Sequence, residues 1–139
     1  MTKMSTDEKQ NFLADLHVGV IAINESGRGA LTVPVWYDYE VGGNAWFVTG
    51  ENSLKGQLLT NGARMSLCAQ TETAPYQYVS VEGCVTDIRP ATEAELLAMA
   101  VRYLGEEQGT QYAQASGIEG QITVVLTPER WLAVDYSKR

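Results

Sequence analysis

Two connections between the predicted strands are too short to hold anything but a turn. Residues 24–29 read Asn-Glu-Ser-Gly-Arg-Gly and residues 41–44 read Val-Gly-Gly-Asn, both rich in turn-forming side chains. The flanking segments 17–23, 30–39 and 45–49 are apolar and rich in β-branched and aromatic residues. Because parallel neighbours need a crossover of about a dozen residues or more, strands joined this closely must run antiparallel. The spacing therefore predicts a mostly antiparallel sheet.

The remaining pattern adds further strands and a few helices. Capping-box pairs, Ser5 with Glu8 and Thr92 with Glu95, are typical of helix starts. The polar stretch 105–120 has no clear pattern. The further predicted strands are residues 65–69, 77–88 and 121–126, with 131–134 continuing or following the last, and the predicted helices are residues 5–16, 53–61 and 92–104.

Two residues interrupt the strand pattern in an informative way. Pro34 lies inside the second predicted strand and lacks the N–H that a sheet ladder needs, which favours an edge position or a bulge. Gly83 breaks the alternation of the long strand at 77–88, which indicates a bulge or a close backbone contact.

The strand count and the chain length together predict the fold class. A chain of 139 residues is the size of one domain, so residues 1–139 are expected to form a single unit. About six antiparallel strands in one domain favour a small barrel, since closure removes exposed sheet edges. Doubly wound folds are disfavoured, and neither phosphate-binding glycine motif, GxGxxG or GxxxxGK, occurs.

Composition excludes several classes of partner. The chain has 10 Lys plus Arg against 17 Asp plus Glu, a formal charge of -7, so a nucleic-acid partner is not expected. No run approaches the roughly 20 apolar residues that span a bilayer, and residues 1–10 lack an apolar signal segment. We expect no membrane partner and a cytoplasmic protein. The single histidine, His17, leaves no basis for a His-rich metal site, and no metal is predicted.

No residue is assigned as catalytic from the sequence. Cys68 and Cys84 do not form a CxxC motif and are expected to be reduced thiols without a chemical role. Cys68 lies in an apolar strand, and no basic neighbour of Cys84 is evident in the sequence. His17 is more often structural than catalytic at such a position, and Glu82 has no partner carboxylate nearby in sequence.

Three segments are candidate binding elements, each with an ordinary structural alternative. Residues 48–56 place a strand end, small polar side chains and Lys55 at the start of a helix, where a phosphate could bind. The alternative is an ordinary capped surface helix with a solvated lysine. Residues 31–37 could lay an apolar strand along a flat ring, or form core and a dimer interface. Residues 76–83 are the third candidate, and their ordinary structural alternative is a barrel strand with exposed tyrosines at its start.

The order and spacing of these segments resemble the pyridoxamine 5'-phosphate oxidase-like family of FMN-binding split β-barrels. The match rests on residues 32–37, 47–49, 53–56 and 75–83, within a resemblance that extends roughly from Phe12 to Val134. The chain is most similar to the short branch that uses FMN or the deazaflavin coenzyme F-420. The resemblance implies a mainly β fold, a six-stranded antiparallel split β-barrel with a few short helices.

The resemblance also implies where a cofactor would lie. Ser53 and Lys55 would hold its phosphate, and Val48 and Thr49 would contact the ring or the ribityl chain. Leu54 departs from the family, whose oxidases usually have Arg there, so one bidentate phosphate contact is lost. The remaining implied contacts, to the ring and its surroundings, are Val33, Pro34, Val35, Trp36 and Tyr78.

The family resemblance implies a homodimer with two cofactor sites at the subunit interface. The density of aromatic residues gives independent support, because one small core does not readily hide them all. These aromatic residues are Trp36, Tyr37, Tyr39, Trp46 and Tyr76.

The implied function is a flavin- or deazaflavin-dependent oxidoreductase that transfers a hydride to or from a small conjugated organic substrate. FMN is the expected cofactor and coenzyme F-420 the alternative. The C-terminal Arg-containing segment with which the true oxidases bind pyridoxine phosphate is not evident, so pyridoxine oxidation is not favoured. A second hypothesis is a non-catalytic carrier that binds a flavin, haem or a similar cofactor on the same barrel.

Overall fold

Seven strands form one antiparallel sheet in the computed structural model, which describes residues 1–139. The strands are β1 (Val18–Ile23), β2 (Leu31–Trp36), β3 (Asp38–Tyr39), β4 (Ala45–Gly50), β5 (Arg64–Gln70), β6 (Gln77–Pro90) and β7 (Gln121–Asp135). The helices are α1 (Thr6–Ala14), α2 (Leu54–Leu58), α3 (Glu93–Leu104) and α4 (Glu106–Ser116), with a final 3-10 turn at Tyr136–Lys138. Both capping boxes are present, at Ser5 and at Thr92.

The chain itself joins the two edges of this sheet. The strand order is β2-β1-β5-β6-β7-β4-β3, and every hydrogen-bonded pair is antiparallel. The two edge strands, β2 and β3, are consecutive in sequence and separated only by Tyr37. The sheet therefore curves back on itself as a split barrel, which confirms the mainly β, antiparallel fold predicted from the sequence.

The structure corrects one detail of the sequence prediction and decides two points that the sequence left open. The sheet has seven strands rather than six, because the predicted strand 30–39 breaks at Tyr37 into β2 and the two-residue β3. The segments predicted at 121–126 and 131–134 form one strand, β7, which passes Pro128 at a register shift opposite Gly83. The unassigned stretch 105–120 contains helix α4.

Tyr37 is held at the break between the edge strands by side chains instead of a sheet ladder. Its side chain is fully buried, its N–H donates to the Tyr103 hydroxyl at 3.0 Å, and its own hydroxyl donates to the Leu13 carbonyl at 2.6 Å. Arg102 donates to the carbonyls of Tyr37 and Ala14. Burial raises the pKa of the Tyr37 hydroxyl, so it stays a donor. Helices α1 and α3 are thereby fixed against the barrel seam.

Helix α4 packs closely along α3 because Gly109 has no side chain. A Cβ at Gly109 would lie 2.6 Å from the Cα of Val101, a distance that no real contact allows. Gly105 and Gly117 flank the helix with positive φ angles, which favour glycine. This packing places α4 beside the end of β2, where the groove described below lies.

Candidate functional site

A groove of about 310 Å³ opens between the edge strand β2 and the helices α2 and α4. It brings together residues from two of the segments singled out in the sequence and adds two that the sequence did not indicate. The predicted residues that line it are Pro34, Val35, Trp36, Val48 and Lys55, and the added ones are Val18 and Tyr112.

One wall of the groove is a sheet edge. Pro34 pairs with Val20 of β1, and no strand pairs with β2 on its other side. The edge position predicted from Pro34 is therefore confirmed. An edge strand presents unpaired backbone N–H and C=O groups, so this wall offers donors and acceptors to the rim of a flat ligand.

Lys55 is the one charged residue among those that line the groove. It belongs to the short helix α2 and forms no salt bridge, in contrast to Arg64, Arg89, Arg102 and Lys138. An ammonium without a salt-bridge partner beside mostly apolar side chains attracts an anionic group, because no carboxylate there neutralises its charge.

Ser53 acts as the N-cap of α2. Its hydroxyl donates to the Gly50 carbonyl at 2.7 Å and accepts the Gly56 N–H at 3.1 Å. The Thr49 hydroxyl, only 5% exposed, lies 3.2 Å from the same oxygen. Because its one proton is already used, Ser53 would have to release Gly50 before donating to a phosphate. The phosphate role of Ser53 stays a prediction, and so does the ring contact of Thr49.

Three other predicted residues do not line the groove within this chain. Val33 is half-buried and packs against the core, and Leu54 is 56% exposed on the outside of α2. Tyr78 is on β6, which is separated from β2 by β1 and β5. The cofactor contact of Tyr78 therefore stays a prediction.

Aromatic rings surround Trp36 beside the groove. The ring of Trp36 stacks on that of Tyr103 at 5.1 Å and 8°, and Tyr112 approaches it at 5.2 Å and 53°. Sequence analysis missed Tyr112 because it lies in the unassigned polar stretch. The two glycines that bracket α4, Gly105 and Gly117, are the pattern that could have indicated a helix there.

The environment of Cys84 differs from the sequence expectation. An arginine does lie beside it, because Arg64 on the neighbouring strand places a guanidinium nitrogen 3.4 Å from Sγ. The same arginine bridges Glu82 and Glu129. Hydrogen bonding to Glu129 outweighs the arginine and raises the pKa of the Cys84 thiol. Burial also raises the pKa of Cys68, so neither thiol is activated.

Replacing both cysteines should leave ligand binding and turnover intact. Both thiols are free, and neither lines the groove. The double variant Cys68→Ser, Cys84→Ser should fold, bind cofactor and retain turnover within about threefold, as measured by cofactor titration and steady-state rates. A double variant that folded and bound cofactor but lost all turnover would contradict this.

Comparison with known proteins supports the fold. No family model and no curated protein matches the chain. Among solved structures, it resembles a conserved hypothetical protein from Mycobacterium tuberculosis, with a TM-score of 0.78, 21% identity, and coverage of 99% of this chain and 88% of that one. An F-420 reductase matches with a TM-score of 0.70, 19% identity, and coverage of 88% and 94%. A FAD and heme binding protein from Mycobacterium smegmatis matches at 0.71, with 14% identity, and coverage of 96% and 72%.

These similarities establish the architecture alone, because the sequence identities are low. The chain shares the split β-barrel fold of these structures, which is the fold that the resemblance in sequence implied. No helix of the chain combines the length and the apolar character needed to cross a membrane.

Proposed function

We propose that the chain is a flavin- or deazaflavin-dependent oxidoreductase that binds FMN, with coenzyme F-420 as the alternative, and acts on a small conjugated organic molecule. The observation that carries the proposal is the groove, where a sheet edge, apolar walls and one lysine converge. The solved structures of similar fold include an F-420 reductase and a FAD and heme binding protein, which supports a cofactor of this class.

The groove residues fit the chemistry of a phosphorylated flavin. Its ring is flat and largely apolar, as are the side chains of Pro34, Trp36 and Val48. The polar rim of the ring matches the free peptide groups of β2, and Lys55 matches the phosphate. When bound, the flavin or deazaflavin supplies the hydride chemistry.

The chain's own residues would orient the ring and exclude water from it. The groove contains no carboxylate, imidazole or thiol among its lining side chains. Proton transfer at the substrate is therefore left to a tyrosine hydroxyl, such as that of Tyr78, or to water. This lack of an acid or base, with Leu54 in place of an arginine, supports the second candidate function, a carrier that binds its cofactor without turnover.

A homodimer accompanies this proposal. Tyr37 and Tyr39 are 0% and 3% exposed in the chain's own core, so they give no support to an interface. The outer face of the sheet supports an interface better. One row of cross-strand neighbours on it consists of Val20, Cys68, Ser80 and Leu132. Val20 and Leu132, at the two ends of this row, are 40% and 58% exposed. Tyr78, two residues before Ser80 on β6, lies on the same face, so the proposed interface would include it.

The dimer should be visible as a mass twice that of the chain at micromolar concentration. Leu132→Lys should shift it towards monomer, because burying an unpaired ammonium at an apolar interface is costly. Leu97→Lys is the matched control, since Leu97 is also exposed, at 39%, but belongs to α3. Sedimentation or light scattering gives the masses. A monomeric wild type would count decisively against the dimer.

The function is tested first by the visible spectrum of the purified protein and the mass of any ligand released on denaturation. The apoprotein is then titrated with FMN and with F-420. Reduction of the bound cofactor by a donor, followed by its reoxidation with a conjugated organic acceptor, supports the oxidoreductase. Binding without such exchange supports the carrier, and binding of neither cofactor refutes both cofactor assignments.

A further inference from the structure

A second, smaller cavity lies directly behind the groove. Its volume is about 60 Å³, and it shares Trp36, Val48 and Tyr112 with the groove. Its remaining lining comes from α3, the end of α4 and the start of β7. These residues are Leu96, Met99, Ala100, Ser116 and Gln121. Because these three residues line both spaces, the cavity adjoins the groove.

The two spaces differ in charge. Lys55 lines the groove, whereas no charged side chain lines the small cavity. Its polar side chains are neutral, the hydroxyls of Ser116 and Tyr112 and the amide of Gln121. An ion that entered would lose its hydration without gaining a counter-charge, which is unfavourable by several kcal/mol. A neutral group with one hydrogen-bonding atom would meet both apolar walls and a polar partner.

Tyr112 is the most exposed of the three shared residues. Its side chain is 45% exposed and projects from α4, and its ring lies 5.2 Å from that of Trp36. Exposed side chains change rotamer within nanoseconds. Trp36, by contrast, is fixed by stacking on Tyr103, which is anchored by hydrogen bonds to Tyr37. Of the three shared residues, Tyr112 is therefore the one whose side chain can most readily move.

We propose that this cavity is a substrate subsite, which takes the neutral, apolar end of a small conjugated substrate, with Tyr112 setting the size of the group admitted. The inference rests on the proposed function, since the rest of the substrate would lie in the groove against the cofactor. It assigns a preference for uncharged over anionic substrates to the residues of α3 and α4.

Benzamide and benzoate test the preference, because they have the same ring and similar shape but differ in charge. The apoprotein is titrated with each by calorimetry or ligand-observed NMR. Benzamide should bind about tenfold more tightly. Ser116→Leu, which narrows the cavity without touching the groove, should weaken benzamide binding about tenfold and leave FMN affinity within threefold. The subsite would be overturned if Ser116→Leu weakened benzamide and FMN binding equally, or if it left benzamide binding unchanged.

Two further variants separate the cavity from the groove. Tyr112→Ala should bind 2-naphthamide about tenfold more tightly than wild type does, whereas Tyr112→Phe should bind it no more tightly than wild type, because it keeps the ring. If benzoate is bound by Lys55 instead of the cavity, Lys55→Ala should weaken benzoate binding and Ser116→Leu should leave it unchanged. Tighter binding of benzoate than of benzamide to Lys55→Ala would refute the subsite.

The two proposals can fail separately. If FMN and F-420 do not bind but the amide preference and its dependence on Ser116 persist, the subsite stands and the cofactor proposal falls. If a cofactor binds but neither benzamide nor 2-naphthamide responds to the α4 variants, the subsite falls alone.

Discussion

Lys55→Ala should weaken the binding of FMN by roughly 10- to 150-fold. A charge-assisted contact to phosphate contributes about 1.5–3 kcal/mol, and each 1.4 kcal/mol is about a factor of ten in affinity. No other cation lines the groove, Leu54 cannot share the contact, and the Ser53 hydroxyl is occupied as a helix cap. The whole loss should therefore fall on Lys55, and the variant should fold normally.

Titration of the apoprotein with FMN, F-420 and riboflavin, followed by fluorescence, measures this effect. Riboflavin lacks the phosphate, so its affinity should not respond to Lys55→Ala. Lys9→Ala is the matched control, because Lys9 lies over the Trp131 ring, 5.4 Å from its centroid, and does not line the groove. The salt dependence of FMN binding should also flatten in Lys55→Ala. Unchanged FMN and F-420 affinities in that variant would place the phosphate elsewhere.

Local chemistry made much of the fold predictable. Pro34 lacks a donor, and that property requires an edge or a bulge wherever the strand lies. The capping boxes at Ser5 and Thr92 depend only on residues three apart, so they too are visible in the sequence. Turns too short for a crossover excluded parallel pairing. Each of these inferences needs no information about distant contacts.

The features that sequence analysis missed depend on contacts between distant residues. Strand 30–39 breaks because Tyr37 bonds to Tyr103, which is 66 residues away. Arg64 reaches Cys84 only because β5 and β6 are paired in a particular register. Helix α4 has few apolar residues and is positioned by the close approach of Gly109 to α3, so no periodic pattern marks it. Tyr112 could not be assigned to the site for the same reason.

The candidate site was predictable only where short sequence motifs indicate its residues. Lys55, Pro34 and Trp36 lie in the segments on which the sequence resemblance rests, and the structure brings them to one groove. Ser53 was also singled out, but its hydroxyl is used within the helix cap, a competition that a motif does not reveal. Tyr78 on β6 does not line the groove within one chain, so its cofactor contact stays a prediction that depends on the proposed dimer.

Gly83→Ala should be the most destabilising single-methyl change in the chain. A Cβ at Gly83 would lie 1.9 Å from the Thr127 carbonyl oxygen and 2.9 Å from its carbon. These are backbone atoms of β7, which cannot rotate away as a side chain could. The strands would have to separate at the register shift opposite Pro128, in the longest strand pair of the sheet. We expect a loss of about 3 kcal/mol in the free energy of unfolding, the upper end for overpacking a core.

Gly29→Ala is the matched control for this loss. Gly29 has no heavy atom within 4 Å of its Cβ position and no positive φ, so the added methyl should change the free energy of unfolding by less than about 1 kcal/mol. Urea unfolding followed by tryptophan fluorescence compares both variants with wild type. The alternation break at Gly83, visible in the sequence, would then mark a required close approach of two backbones. Equal stabilities of the two variants would mean that β7 yields at Thr127 without cost, and that the bulge does not need a glycine.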